Sequence, residues 1–234
     1  MLKLIYFKSD LKQLYREPMM ALFFMLPIIM APLFKVILLF VYPFSQRFFI
    51  FELAPYNDFI LSLVLLLVPG MLGVVMGFML LDDKDGKIIE LLSITPLGRS
   101  GYIIIRLTFI AIATMIYTIY SYYVMELSLV TLPAILFIGM LLCIYATIIG
   151  LIFINLATDK VKGLTYAKGL NIMLIFVFAD LLKTPWITFF AQCFPTYWVY
   201  KIIETHAASY SLFFGLLVHL LWFMIMLTIS KKKL

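Results

Sequence analysis

The sequence predicts an all-α, polytopic membrane protein with six transmembrane helices, an N-terminal amphipathic interfacial helix and an extracellular re-entrant helical segment. Three observations predict it. Hydrophobic residues make up 65% of the 234-residue chain, the mean hydropathy is +1.12, and the apolar residues gather into runs about as long as a bilayer is thick. A hydrocarbon core of ~30 Å takes a helix of roughly 20 apolar residues, because no water is present there to satisfy stray backbone groups. A soluble domain holds only about half apolar residues. One membrane domain is expected over 1–234.

The first element precedes the first span. Leu4, Phe7, Leu11 and Leu14 recur at helical spacing while Lys3, Lys8, Lys12 and Arg16 occupy other faces, so residues 2–16 read as an amphipathic helix in the membrane surface. Taken alone, the segment also suits a plain basic anchor. Pro18 then marks a break where the chain turns into the bilayer. Spans are expected at 19–41, 58–81, 101–124, 132–156, 164–182 and 210–229. The first lacks a small-residue cleavage site and is expected to act as its own insertion signal.

Six spans put both termini on one side. That side carries Lys3, Lys8, Lys12, Arg16, Lys84, Lys87, Arg99, Arg106, Lys160, Lys162, Lys168 and Lys231 to Lys233, fourteen in all, whereas the opposite gaps hold Arg47, Lys183 and Lys201. Lys and Arg are retained in the cytoplasm during insertion, so both termini are expected there, in a multi-pass plasma-membrane protein. Lys35 is left near the outer end of the first span, where it can snorkel to the headgroups. The net charge of +6 is thus mainly a topology signal. It is spread over four segments and interleaved with Asp82, Asp83, Asp85 and Glu90, which argues against nucleic acid as a partner. Cys143 and Cys193 lie too far apart in this topology for a disulfide framework and read as packing residues.

Two segments outside the spans stand out. On the cytoplasmic side, residues 85–99 hold Gly86, then a short run with Ile88, Leu91 and Leu92 on one face, ended by Thr95 and Pro96. So short a helix is unstable alone in water and needs a docking partner; otherwise it is a solvated loop. On the outer side, residues 183–209 are too polar and proline-broken to span, yet carry Trp186, Phe189, Phe190, Phe194, Tyr197, Trp198 and Tyr200. A re-entrant or interfacial helix pair joined near Pro195 is expected, and an aromatic belt accounts for the rings equally.

The order of these elements resembles an ABC-2 type permease, the membrane subunit of an ATP-binding-cassette exporter, over essentially the whole chain. REPMMALFFMLP (16–27) is similar to the charged residue and proline that lead into that family's first span, DGKIIELLSITPLGRSGYIIIRL (85–107) to its acidic, Gly, short-helix, Thr-Pro and Tyr stretch, and FPTYWVYKI (194–202) to its proline-aromatic segment. The acidic position is shifted, and Lys87 stands where the family often has Thr. The resemblance implies two permeases, identical or homologous, pairing around a cleft, with two ATPase subunits below. Phosphate-cradling G-x-x-x-x-G-K-[ST] is absent from these residues, so the chain is expected to be no enzyme and to bind no cofactor, with ATP and Mg held by the partner ATPase. Gly86, Ile88, Glu90, Leu91 and Leu92 would then couple to that ATPase. Met71, Val75 and Phe78 on the second span and Asn171, Ile175 and Phe178 on the fifth would line the substrate path. Leu181 and Leu182 would form the outer gate.

Gly73 and Gly77 make a GxxxG step that suits a dimer contact or simple helix packing. Few polar side chains sit deep in the spans, and Lys35, Arg106, Asp180 and His219 fall near helix ends or lack a sequence partner. A hydrophobic or amphipathic cargo, whether peptide, toxin, drug or lipid, therefore fits better than an ion or sugar, and an amphipathic peptide or toxin-like cargo is preferred. An ion-coupled secondary transporter or channel stays open as the alternative. A membrane-embedded enzyme would need converging His, acidic or Cys groups, and His206 and His219 lie on opposite sides of the last span's start with no acidic-His cluster nearby. No metal site is expected.

Overall fold

Among the residues described in the computed structural model, 2–48, 52–88, 91, 98–157 and 160–231, every regular element is helical. The side chains of 2–8, 99, 100, 160, 164, 167, 170, 171 and 231 lie outside that description. The helices are α1 (Leu2–Arg16), α2 (Pro18–Phe48), α3 (Asn57–Asp85), α4 (Gly98–Met125), α5 (Leu132–Leu156) and α6 (Lys160–Asn171), then a 3₁₀ run (Ile172–Leu182), α7 (Pro185–Ala191), α8 (Pro195–Glu204) and α9 (Ser209–Lys231). Five of them, α2, α3, α4, α5 and α9, are long and apolar enough to cross a membrane.

The centre of the bundle is α3 against α5, and glycine makes their contact close. A Cβ on Gly73 would lie 2.6 Å from Ile149 Cβ and 2.8 Å from the Ala146 carbonyl, and one on Gly77 would lie 2.5 Å from Phe153. The GxxxG step thus seats α5 within the same chain. Around this pair the periphery is thinner: α2 and α9 leave most of their apolar surface uncovered, including Leu22, Ile29 and Phe40 on α2 and Phe213, Leu221 and Met224 on α9. That pattern suits helices facing lipid.

Proline inside a spanning helix removes a backbone donor, and the freed carbonyl must find another. Pro32 of α2 cannot donate to the Ile28 carbonyl; the Tyr120 hydroxyl of α4 donates to it instead, at 3.2 Å. The same logic ties down irregular backbone at the opposite end of the bundle. Thr196 donates to the Met173 carbonyl at 2.8 Å, Trp198 Nε1 to the Gln192 carbonyl at 2.8 Å, and Trp222 Nε1 to the Cys193 carbonyl at 2.8 Å.

The fifth apolar run is not one α-helix, which corrects the expectation for 164–182. Twelve α-helical residues precede eleven in 3₁₀ conformation. Only the 3₁₀ part is strongly apolar, and at 2.0 Å rise per residue it extends about 22 Å, so this run is not among the five helices long and apolar enough to cross. Ile172, Ile175, Phe178 and Leu181, one per three-residue turn, are the exposed stripe. The segment after it contains two short helices meeting at Pro195, and its rings divide. Trp186, Phe189 and Phe190 are exposed as a belt would have them, while Tyr197, Trp198 and Tyr200 are buried against the bundle. Phe176 and Phe194 stack between the two parts at 3.8 Å.

Candidate functional site

At the α1 end of the bundle, three elements deliver charge to one buried point. Arg106 lies two turns into α4, and its guanidinium is enclosed. Nη1 donates to Asp10 Oδ1 of α1 at 2.6 Å, Nη2 to Gln13 Oε1 of α1 at 2.7 Å and to Asp83 of α3 at 2.9 to 3.1 Å, and Nε to the Tyr102 hydroxyl at 2.8 Å. Tyr102 in turn donates to Asp83 Oδ2 at 2.5 Å, and its ring lies 5.2 Å below the guanidinium carbon. Relative exposures of Asp10, Asp83 and Arg106 are 2, 1 and 4%. Charges this deep are tolerated when paired and hydrogen-bonded.

In α1 the structure adds an ionic contact to the apolar face. Leu14 is buried but Leu11 is 51% exposed, because the face turned inward is Asp10, Gln13 and Leu14, one helical turn apart. The interfacial helix is therefore held by an ionic contact as well as an apolar one. Beside the cluster opens a groove of about 640 Å³, lined by Ser9, Asp10, Lys12, Gln13, Arg16, Glu17, Asp82, Asp83, Ile88, Tyr102 and Arg106.

Ile88 connects this groove to the expected coupling segment. α3 ends at Gly86, whose N–H bonds the Asp82 carbonyl at 2.8 Å. A Cβ there would sit 3.2 Å from that same carbonyl. The turn's left-handed residue is Lys87, at φ 54°, a conformation that costs a side-chain-bearing residue about 1–2 kcal/mol. Leu91 N–H then bonds the Lys87 carbonyl at 3.1 Å, a helical i→i−4 link. Ile88 is 39% and Leu91 63% exposed. Glu90 and Leu92 lie outside the described residues.

The residues expected along the substrate path fall into two environments. Val75 and Phe78 are fully buried, Phe78 edge-on to Phe153 at 5.3 Å and near Phe23 at 6.4 Å, and Met71 is half-buried. Ile175 and Phe178 are exposed, as are Leu181 and Leu182. Phe178 leans edge-on against Phe59 of α3 at 4.5 Å. The side chain of Asn171 is not among those described. Within one chain, then, α3 contributes to the core and the 3₁₀ run to the surface.

The opposite end carries a second, wetter cluster that sequence reasoning also left unpaired. Lys201 of α8 donates to Asp180 at 2.9 Å and to Glu204 at 2.7 Å, and the hydroxyls of Tyr197 and Tyr200 donate to Asp180 and Glu204. Burial acts against the charge on Lys201, but its bonds to both carboxylates outweigh burial and raise its pKa. Lys35 pairs with Glu126 at 2.7 Å rather than merely snorkelling. His219 is buried, with Nδ1 2.7 Å from the Gly215 carbonyl and its ring against Tyr145. Among the described residues, no group of three or more His, Cys, Asp or Glu could hold a metal.

Comparison with known proteins places this architecture. The family model described as "Fluoroquinolones export permease protein Rv2686c-like" matches residues 10–227. The fluoroquinolones export permease proteins of two Mycobacterium tuberculosis strains, CDC 1551 / Oshkosh and ATCC 25618 / H37Rv, are each 26% identical over 190 residues, covering 76% of this chain and 70% of theirs. No solved structure matches significantly. With a matched region that runs from Asp10 of the ionic cluster through the last spanning helix, the chain belongs to the Rv2686c-like family of membrane-embedded export permeases.

Proposed function

We propose that this chain is the membrane subunit of an ABC-2 type exporter that moves an amphipathic cargo out of the cell with ATP hydrolysed by a separate subunit. The observation that carries the reading is the juxtaposition at the α1 end. An exposed apolar turn, Ile88 and Leu91, adjoins a polar groove whose floor ties α1, α3 and α4 together through Arg106. A force applied at that turn reaches α3 through Gly86 and reaches α1 and α4 through the ion cluster. Two ATPase subunits would bind there, holding ATP and Mg, and a second permease would complete the cleft. The relatives' names bring fluoroquinolones forward as candidate cargo.

In this reading the α1 end is cytoplasmic. Native Cys193, exposed at the opposite end, should react with an impermeant thiol reagent in intact cells, and Cys193→Ser should abolish labelling. Transport is tested by reconstituting the permease with its ATPase in liposomes and following a fluorescent fluoroquinolone. Accumulation that requires ATP supports the reading. Accumulation driven by a proton gradient without nucleotide would replace it with an ion-coupled transporter.

A further inference from the structure

Among the described residues, the ion cluster does not balance. Its buried floor holds two carboxylates, Asp10 and Asp83, against one guanidinium, Arg106. Asp83 uses both oxygens, receiving Tyr102 and Arg106. Asp10 uses one: Oδ1 receives Arg106, while Oδ2 is buried with no hydrogen-bond partner. Among the described residues that line the groove above, the remaining charged groups are equal in number and opposite in sign: Lys12 and Arg16, from α1, against Glu17, from the link to α2, and Asp82, from α3. On the α4 side the described groups are Tyr102 and Arg106 themselves.

An unpaired carboxylate oxygen in so enclosed a place is costly, and one proton removes the excess. We propose that Asp10 is a proton-binding site, that the proton resides on Oδ2, and that its binding clamps the interfacial helix α1 onto α3 and α4. Ionisation leaves two carboxylates competing for Arg106, and α1 is the member free to leave, since Asp83 is also held by Tyr102. Burial pushes the Asp10 carboxyl up from 3.8 to about 6, against the pull of Arg106 and with help from Asp83. The sign follows. Because the docked-state pKa is the higher one, the clamp is fully present below the undocked value, weakens as pH rises through about 6, and is level beyond.

The test uses the full chain in lipid nanodiscs and reads hydrogen exchange of the α1 amides, corrected for the intrinsic pH dependence of exchange. Between pH 5 and pH 8, α1 protection should fall about tenfold, the ratio that follows from a shift of this size. Asp10→Asn should hold α1 at its acid level throughout. Protection that is flat or rises with pH overturns the proposal, as does a fall that survives in Asp10→Asn. Should that variant fail to insert, infrared spectra of the native chain decide. A high-frequency protonated-carboxyl band present at pH 5 and gone at pH 8 supports the site, and its absence at pH 5 refutes it. The readout lies in the permease alone, so its outcome leaves the ATPase reading to its own experiment.

Discussion

Two ion clusters close the two ends of this bundle with similar chemistry and different surroundings. At the α1 end, the side chains of Arg106, Asp10 and Asp83 are 5, 3 and 1% exposed; at the other, Lys201, Asp180 and Glu204 are 24, 15 and 37% exposed. The distances are nearly the same, so geometry does not distinguish them. Solvent does. Water near Lys201 screens its bonds and offers replacements when one is lost, whereas nothing can replace Arg106. In the proposed exporter the buried cluster is therefore the one suited to transmit force, and the wetter one to fasten a surface.

Breaking the clusters should rank accordingly. Arg106→Ala leaves two carboxylates facing each other without a cation, and removing one partner of a buried pair costs about 3–5 kcal/mol. Thermal unfolding in detergent should show a large drop in Tm, and limited proteolysis should release α1 first. Gly77→Ala, which places a methyl against Phe153, should cost about 1–3 kcal/mol by overpacking. Gly169→Ala, with nothing within 4 Å, is the control and should change little. Lys201→Met should fall lower, about 1–2 kcal/mol, between the exposed and buried limits, and should loosen α8 in hydrogen exchange without affecting α1. Smallest is Lys35→Ala: its partner Glu126 is 72% exposed, and no measurable change in Tm is expected. If Lys201→Met proves as damaging as Arg106→Ala, burial is not what separates the two ends.

Much of this frame was legible in the sequence because spans are written as composition. The first four apolar runs and the last one appear as α2, α3, α4, α5 and α9, the fourth with the expected ends and α2 running furthest past them. The fifth differs because its residues 172–182 are almost all apolar, so their sequence carries no polar face to report the period, and the three-residue repeat shows only in the exposed Ile172, Ile175, Phe178 and Leu181. The ion cluster escaped for a different reason. Asp10 and Arg106 are 96 residues apart, and local periodicity says nothing about pairs so distant. A signal was present: Asp10 sits four residues before Leu14, on the face that docks, and Asp83 and Arg106 stand near the same end of adjacent spans. The excess of basic residues on one side assigns Arg106 a side of the membrane but carries no information about the acids at its depth.

In the proposed exporter, force enters at the exposed turn after α3. Leu91→Asp tests it most directly, because Leu91 lies outside the packed bundle and a charge there should spare insertion while opposing an apolar docking contact. The measurement is co-purification of the ATPase with the variant, alongside ATP-dependent transport at matched membrane levels. A large loss of both is expected, with the permease's Tm unchanged. A Leu91→Asp permease that keeps its ATPase and its full transport would contradict it.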